Sequence, residues 1–246
     1  MKLNFNIDYR TNWGESVYIV GHTPELGDGD ESRAVKLELD GVGLWSLSID
    51  VADETRDFDY RYIVRRDDGS TRYEWGRPHR FVVGCDVKSY EIYDRWQDQP
   101  YDKPYYSSVF VDCINRRDDR DESQSLYPGS VTLRVDAPMV GSDEVLALCG
   151  DDEAIGEWNP ENALVMNDSN FPEWSITLPN KEIHLPFRYK FVILDKTTRK
   201  LLAWENGDNR VMNIIPEHKS SALVVGGMRF INSLSLIHIS EPTRPY

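Results

Sequence analysis

The run Trp204-Glu205-Asn206-Gly207-Asp208-Asn209-Arg210 gathers an indole, carboxylates, amides and a guanidinium into one short stretch. That set suits a neutral polyol: an indole face stacks on the apolar face of a pyranose, while a neighbouring carboxylate and amide hydrogen-bond its equatorial hydroxyls. A second indole, Trp158, ends the turn Ile155-Gly156-Glu157, and Lys190 lies within the alternating run Phe187–Ile193. A tryptophan in a β-domain is most often core. Both of these instead sit at polar turns, flanked by Glu157 and Asn159 or by Glu205 and Asn206, where a buried strand indole would have apolar neighbours at period two. The chain has no His-Glu-x-x-His, Cys-x-x-Cys, Gly-x-Ser-x-Gly or phosphate-loop pattern. No catalytic residue, metal ligand or cofactor is therefore predicted. Glycoside hydrolysis needs two carboxylates facing across the scissile bond, and the 42 acidic residues do not by number single out such a pair.

Together these pieces resemble the starch-binding modules of carbohydrate-binding family 20. In that family a Trp follows a Leu-Gly-x turn, a Tyr-Lys-Phe strand supplies a Lys, and a Trp-Glu-x-Gly-x-Asn-Arg loop supplies the rest. The resemblance implies sugar-binding roles for Trp158, Lys190, Trp204, Glu205 and Asn209.

The elements that must carry these residues read as strands. Leu3, Phe5 and Ile7 alternate, as do the runs Trp45–Val51 and Phe58–Val64, and Asp67-Asp68-Gly69-Ser70 is a hairpin turn signal. Short strands without a long helical period predict an all-β chain, and a shift of 129 positions predicts that it is doubled. That shift carries Gly21 to Gly150, Gly27 to Gly156, Trp45 to Trp174, Phe58-Asp59-Tyr60-Arg61 to Phe187-Arg188-Tyr189-Lys190, and Trp75 to Trp204. The expectation is two tandem immunoglobulin-like β-sandwich domains, at 1–97 and 128–227. Residues 98–127 read as a solvated linker, with a short edge strand at Val109-Phe110-Val111, and 228–246 as a tail. Trp45 and Trp174, each opening an alternating strand, are predicted to be core.

On the same shift Gly29 stands for Trp158, Arg61 for Lys190, Gly76 for Glu205 and Arg80 for Asn209. The first copy then keeps only Trp75 of the principal site. It does carry Trp13 before Gly14-Glu15, where the family often has a Tyr that stacks sugar at a second, separate site.

With 246 residues the chain has room for one or two real cores. A net charge of −14 argues against nucleic acid and anionic membrane surfaces, which want a basic footprint, and is neutral toward a glucan. Cys85, Cys113 and Cys149 suggest no disulfide framework, and Met1–Asp8 lacks the apolar core of a signal peptide. A cytoplasmic location is expected.

Over residues 1 to about 230, opening with Asn4-Phe5-Asn6-Ile7-Asp8-Tyr9-Arg10-Thr11-Asn12-Trp13-Gly14, the chain is similar to the paired starch-binding modules at the start of 4-α-glucanotransferases of glycoside hydrolase family 77, in Bacteroides-like bacterial members. The resemblance implies a catalytic barrel after the modules as the partner within the parent chain, and α-glucans (maltooligosaccharides, glycogen, starch) as ligands. The alternative is a stand-alone glucan-binding scaffold without catalysis. From about residue 234, Leu234–Arg244 resembles a translated sequencing adapter, so the tail is expected to be non-native and the sequence a fragment.

Overall fold

The computed structural model describes residues 1–40, 43–117, 125–214, 216 and 218–232. The charged run 118–122 and the adapter-like stretch lie outside the described residues. In the first half the strands are β1 (Lys2–Asp8), β2 (Glu15–Gly21), β3 (Val35–Lys36), β4 (Glu38–Leu39), β5 (Leu44–Asp50), β6 (Phe58–Arg66), β7 (Thr71–Tyr73), β8 (His79–Phe81) and β9 (Ser89–Arg95). The second half contributes β10 (Ser130–Asp136), β11 (Glu144–Gly150), β12 (Leu164–Val165), β13 (Asn167–Asn170), β14 (Glu173–Pro179), β15 (Phe187–Asp195), β16 (Leu201–Trp204), β17 (Arg210–Met212) and β18 (Ser221–Arg229). Among the described residues strands dominate, with only short helical turns between them, as the period-two alternation predicts.

Each half is a sandwich with one small sheet of its own, β3-β2-β6-β7 with β8 in the first and β12-β11-β15-β16 with β17 in the second. The opposing layers are not separate. They form one sheet, β13-β14-β10-β18-β9-β1-β5-β4, because β18 pairs with β9 in parallel, Ser221 to Ser89 through Val225 to Tyr93. Alternate side chains of a strand leave opposite faces. On β18, Ala222 and Val224 enter the first core while Leu223 and Met228 enter the second. The two cores therefore lie on opposite faces of the shared sheet.

A bulge at Gly226-Gly227 makes this seam possible, shifting the register of β18 against β10. A Cβ on Gly226 would fall 2.5 Å from an Asp94 carboxylate oxygen, and one on Gly227, at φ +66°, 2.5 Å from the Arg95 carbonyl. Beneath the bulge, Asp94 accepts from the hydroxyls of Tyr60 (2.6 Å) and Tyr62 (3.0 Å).

Trp45 and Trp174 are both buried in their cores. The expected boundaries need correction. Residue 227 lies inside β18, and Met228 and Phe230 are buried in the second core, so that sandwich continues past the expected end. Nor is 98–127 solvated throughout. Val109–Ile114 is a helical turn rather than an edge strand. The Asn115 amide donates to the Pro138 carbonyl at 2.7 Å, and the buried Arg117 guanidinium lies 4.7 Å from the Trp174 ring and donates to the Glu144 carbonyl. Leu126 is buried in the first core, which residues 1–97 alone therefore do not complete.

Candidate functional site

On the second sandwich, Trp158 and Trp204 come together with ring centroids 6.2 Å apart and planes inclined at 45°. Both rings are half-buried, leaving part of each surface to solvent. Trp158 follows the turn Glu153–Ile155, whose start is capped by Asp152 accepting from the Ala154 N–H. Gly156, at φ +92°, ends that turn, and the Trp158 N–H then donates to the Gly150 carbonyl at 2.6 Å. Glu157 and Trp158 hold φ values of +48° and +61°, conformations that cost a non-glycine residue roughly 1–3 kcal/mol each. In the first sandwich the equivalent bond runs from Gly29 to Gly21, and glycine holds the conformation without that cost. Keeping an indole at 158 is thus a local expense that packing does not require.

Trp204 ends β16, opposite Val192. The loop beyond it is tied down by Lys190, whose ammonium donates to the carbonyls of Glu205 (3.0 Å) and Gly207 (2.6 Å). An ammonium has three donors, so the loop carbonyls engage two of them. Asn209 is exposed on the same loop, and none of its side-chain hydrogen bonds goes to a described residue.

Glu205 departs from expectation. Its side chain is buried, accepting from Arg210 at 2.6 and 3.0 Å, from the Ile231 N–H at 3.2 Å and from the Phe191 N–H at 3.4 Å. Four internal donors use up its acceptor capacity, so it supports the loop from below rather than facing sugar hydroxyls.

Trp75 also needs correction. The shift of 129 holds only as far as the hairpin after β6. Ile63 pairs with Tyr73 and the equivalent Val192 pairs with Trp204, so Tyr73 is the structural counterpart of Trp204. The second hairpin is longer by one residue in its turn and by one at the Leu202 bulge, which makes the later shift 131. Glu74 then corresponds to Glu205, His79 to Arg210 and Trp75 to Asn206. Glu74 accepts from the Tyr62 N–H at 2.9 Å and the Gln97 N–H at 3.0 Å, and lies 3.1 Å from His79. Burial pulls the His79 imidazolium down, but Glu74 and then Asp94 outweigh it and hold the group up at about 9. Arg61 does match Lys190, donating to the Gly76 carbonyl at 2.9 Å. Tyr73, missed in the sequence, is exposed and donates to Glu31 at 2.9 Å. Comparing hairpin lengths before extending the shift is the signal that would have found it.

Trp13 stands fully exposed between β1 and β2. Its turn is braced by the Asn12 N–H donating to the Glu15 carboxylate at 2.9 Å and by Arg66 donating to Glu15 at 2.8 Å. The described residues include no cluster of potential metal ligands and no helix long and apolar enough to cross a membrane.

Comparison with known proteins places the chain among carbohydrate-active relatives by sequence. A 4-alpha-glucanotransferase of Oryza sativa subsp. japonica is 24% identical over 229 residues, which is 86% of this chain and 24% of that enzyme. Glucoamylase-1 of Schizophyllum commune is 30% identical over 95 residues, 39% of this chain and 16% of its own length. The chain thus spans a quarter or less of these relatives. A solved family 20 module from the maltotetraose-forming amylase of Pseudomonas saccharophila STB07 shares 19% identity over 39% of this chain and 98% of its own, with a TM-score of 0.33. The family model for the starch binding domain matches residues 1–92 and again 129–224, and the chain belongs to that family.

Proposed function

We propose that the chain is a tandem α-1,4-glucan-binding region whose principal face is Trp158 and Trp204 with Lys190 and Asn209. The observation that carries this reading is the inclined indole pair, 6.2 Å between centroids at 45°. Two tilted planes suit a chain whose successive pyranose rings turn relative to one another, as α-1,4 linkage makes them. Each indole covering roughly 50–80 Å² of sugar gives about 2.5–4 kcal/mol gross before ordering costs. The face alone should therefore bind no more tightly than about millimolar. Trp13 is a separate stacking surface on the first sandwich.

The similarity to the rice 4-alpha-glucanotransferase supports a role beside a catalytic barrel that transfers α-1,4-glucan segments. The binding region would hold the glucan and the barrel would do the chemistry. The three free cysteines, two of them exposed, suit a reducing cytoplasm. Calorimetric titration with maltoheptaose tests the binding face: Trp204→Ala should remove most binding from the folded chain. Unchanged affinity in that variant would end the assignment. Incubating the chain with maltotriose should yield neither glucose nor longer oligomers, since no transferase site is assigned to it.

A further inference from the structure

Where the two sandwiches meet, the shared sheet opens into a cleft of about 750 Å³ that none of the residues of the Trp158–Trp204 face lines. Its aromatic wall is Trp75. Tyr106, from the connector, stands perpendicular to that indole at 5.2 Å and 88°, and the Arg229 guanidinium lies 5.8 Å from its centroid.

Across the cleft, Asp136 of β10 and Glu173 of β14 are direct cross-strand partners. Like charges placed opposite one another are destabilising. Glu173 accepts from the Asn170 amide at 3.0 Å, whereas no described residue donates a hydrogen bond to the Asp136 carboxylate. Burial, and then Glu173, push the Asp136 carboxyl up to about 6. Asp136 is half-buried at the cleft wall, so its carboxylate is open to a hydroxyl donor that enters the cleft.

The charge pattern selects the class of ligand. Arg77, Arg80, Lys103, Arg134 and Arg229 line the cleft and disfavour a cation, while Asp59, Asp112, Asp136 and Glu173 line it too and disfavour an anion. A neutral polyol is compatible with both, since its hydroxyls donate to carboxylates and accept from guanidinium groups. Its apolar face can stack on the indole, and the volume is that of a small-ligand site. We infer that the cleft between the sandwiches is a second carbohydrate site, taking the end of a neutral oligosaccharide, with Trp75 as its stacking surface and Asp136 as its hydroxyl acceptor. The choice of a maltooligosaccharide as that ligand rests on the glucan-binding function proposed above.

The test uses the full chain carrying Trp158→Ala and Trp204→Ala, with ¹⁵N-labelled indoles followed during titration with maltotriose. The Trp75 signal should shift saturably in the millimolar range. Adding Asp136→Asn, a near-isosteric change, should weaken that response about tenfold, while unmoved Trp45 and Trp174 signals report intact cores. A static Trp75 signal, or equal affinity in the Asp136→Asn chain, overturns the cleft site. If the Trp204 signal of the unmutated chain still shifts, the principal face survives that result. If Trp204 is static there, the principal face is the reading that fails.

Discussion

The equivalent faces of the two sandwiches share a scaffold and differ in what it presents. In both, a cationic side chain on the long strand ties down the following loop, Lys190 on Gly207 and Arg61 on Gly76. In both, a buried carboxylate caps a backbone N–H of that strand and pairs with a group on the next one, Glu205 with Arg210 and Glu74 with His79. The second sandwich adds two indoles on top. The first has Gly29 and Tyr73 in their places, and Tyr73 is engaged with Glu31. Support and platform are therefore separable: the buried carboxylate belongs to the fold common to both halves, and the aromatic pair is where the two faces differ.

The largest effect should come from breaking the support. Glu205→Gln leaves the buried Arg210 guanidinium without its countercharge, and opening such a pair costs about 3–5 kcal/mol. Urea denaturation should show that loss, while affinity per folded molecule stays close to wild type. Lost affinity at unchanged stability would instead return Glu205 to the ligand.

The first sandwich offers a matching measurement through pH. Because the folded value of His79 is raised from 6.5 to about 9, the folded state holds this proton more tightly than the unfolded chain. The stabilisation is complete below the unfolded value and is lost as pH rises through the folded one, a fall on the order of 3 kcal/mol. Urea midpoints measured across that window should decline, and His79→Gln should flatten the decline. An unflattened profile would mean that the Glu74–His79–Asp94 cluster is not its source.

Next in size is the platform itself. Trp204→Ala should weaken maltoheptaose binding at least tenfold, whereas Tyr73→Ala at the equivalent place should change it less than about twofold. A comparable loss from Tyr73→Ala would erase the distinction between the faces. The smallest effect is expected from Lys190→Met, which frees the loop without removing an indole and should weaken binding a few-fold by titration calorimetry. No change would mean that the loop holds its shape without the clamp.

Much of this organisation was legible in the chain. Period-two alternation marked the strands, since side chains on successive residues face opposite sides of a sheet whatever else surrounds them. The polar turns at Trp158 and Trp204 marked the indole pair, and Trp45 and Trp174 stood out as core by opening alternating strands. These are local properties, carried by neighbours in sequence.

Only the tertiary structure decided the rest, because each point depends on partners far along the chain. Glu205 turns inward because Arg210 and the N–H groups of Phe191 and Ile231 converge beneath the loop. Trp75 loses its equivalence to Trp204 because a bulge at Leu202 and a longer turn change the register, and composition does not reveal a bulge. The union of two sandwiches through one sheet required β9 and β18 to meet at unsatisfied edges. Backbone N–H and C=O groups pair with any strand of suitable register, so nothing in either strand alone names the other. The glycines at 226 and 227 and the carboxylate of Asp94, 132 residues before the first of them, became one seam, and the cleft beside it exists only once both halves are in place.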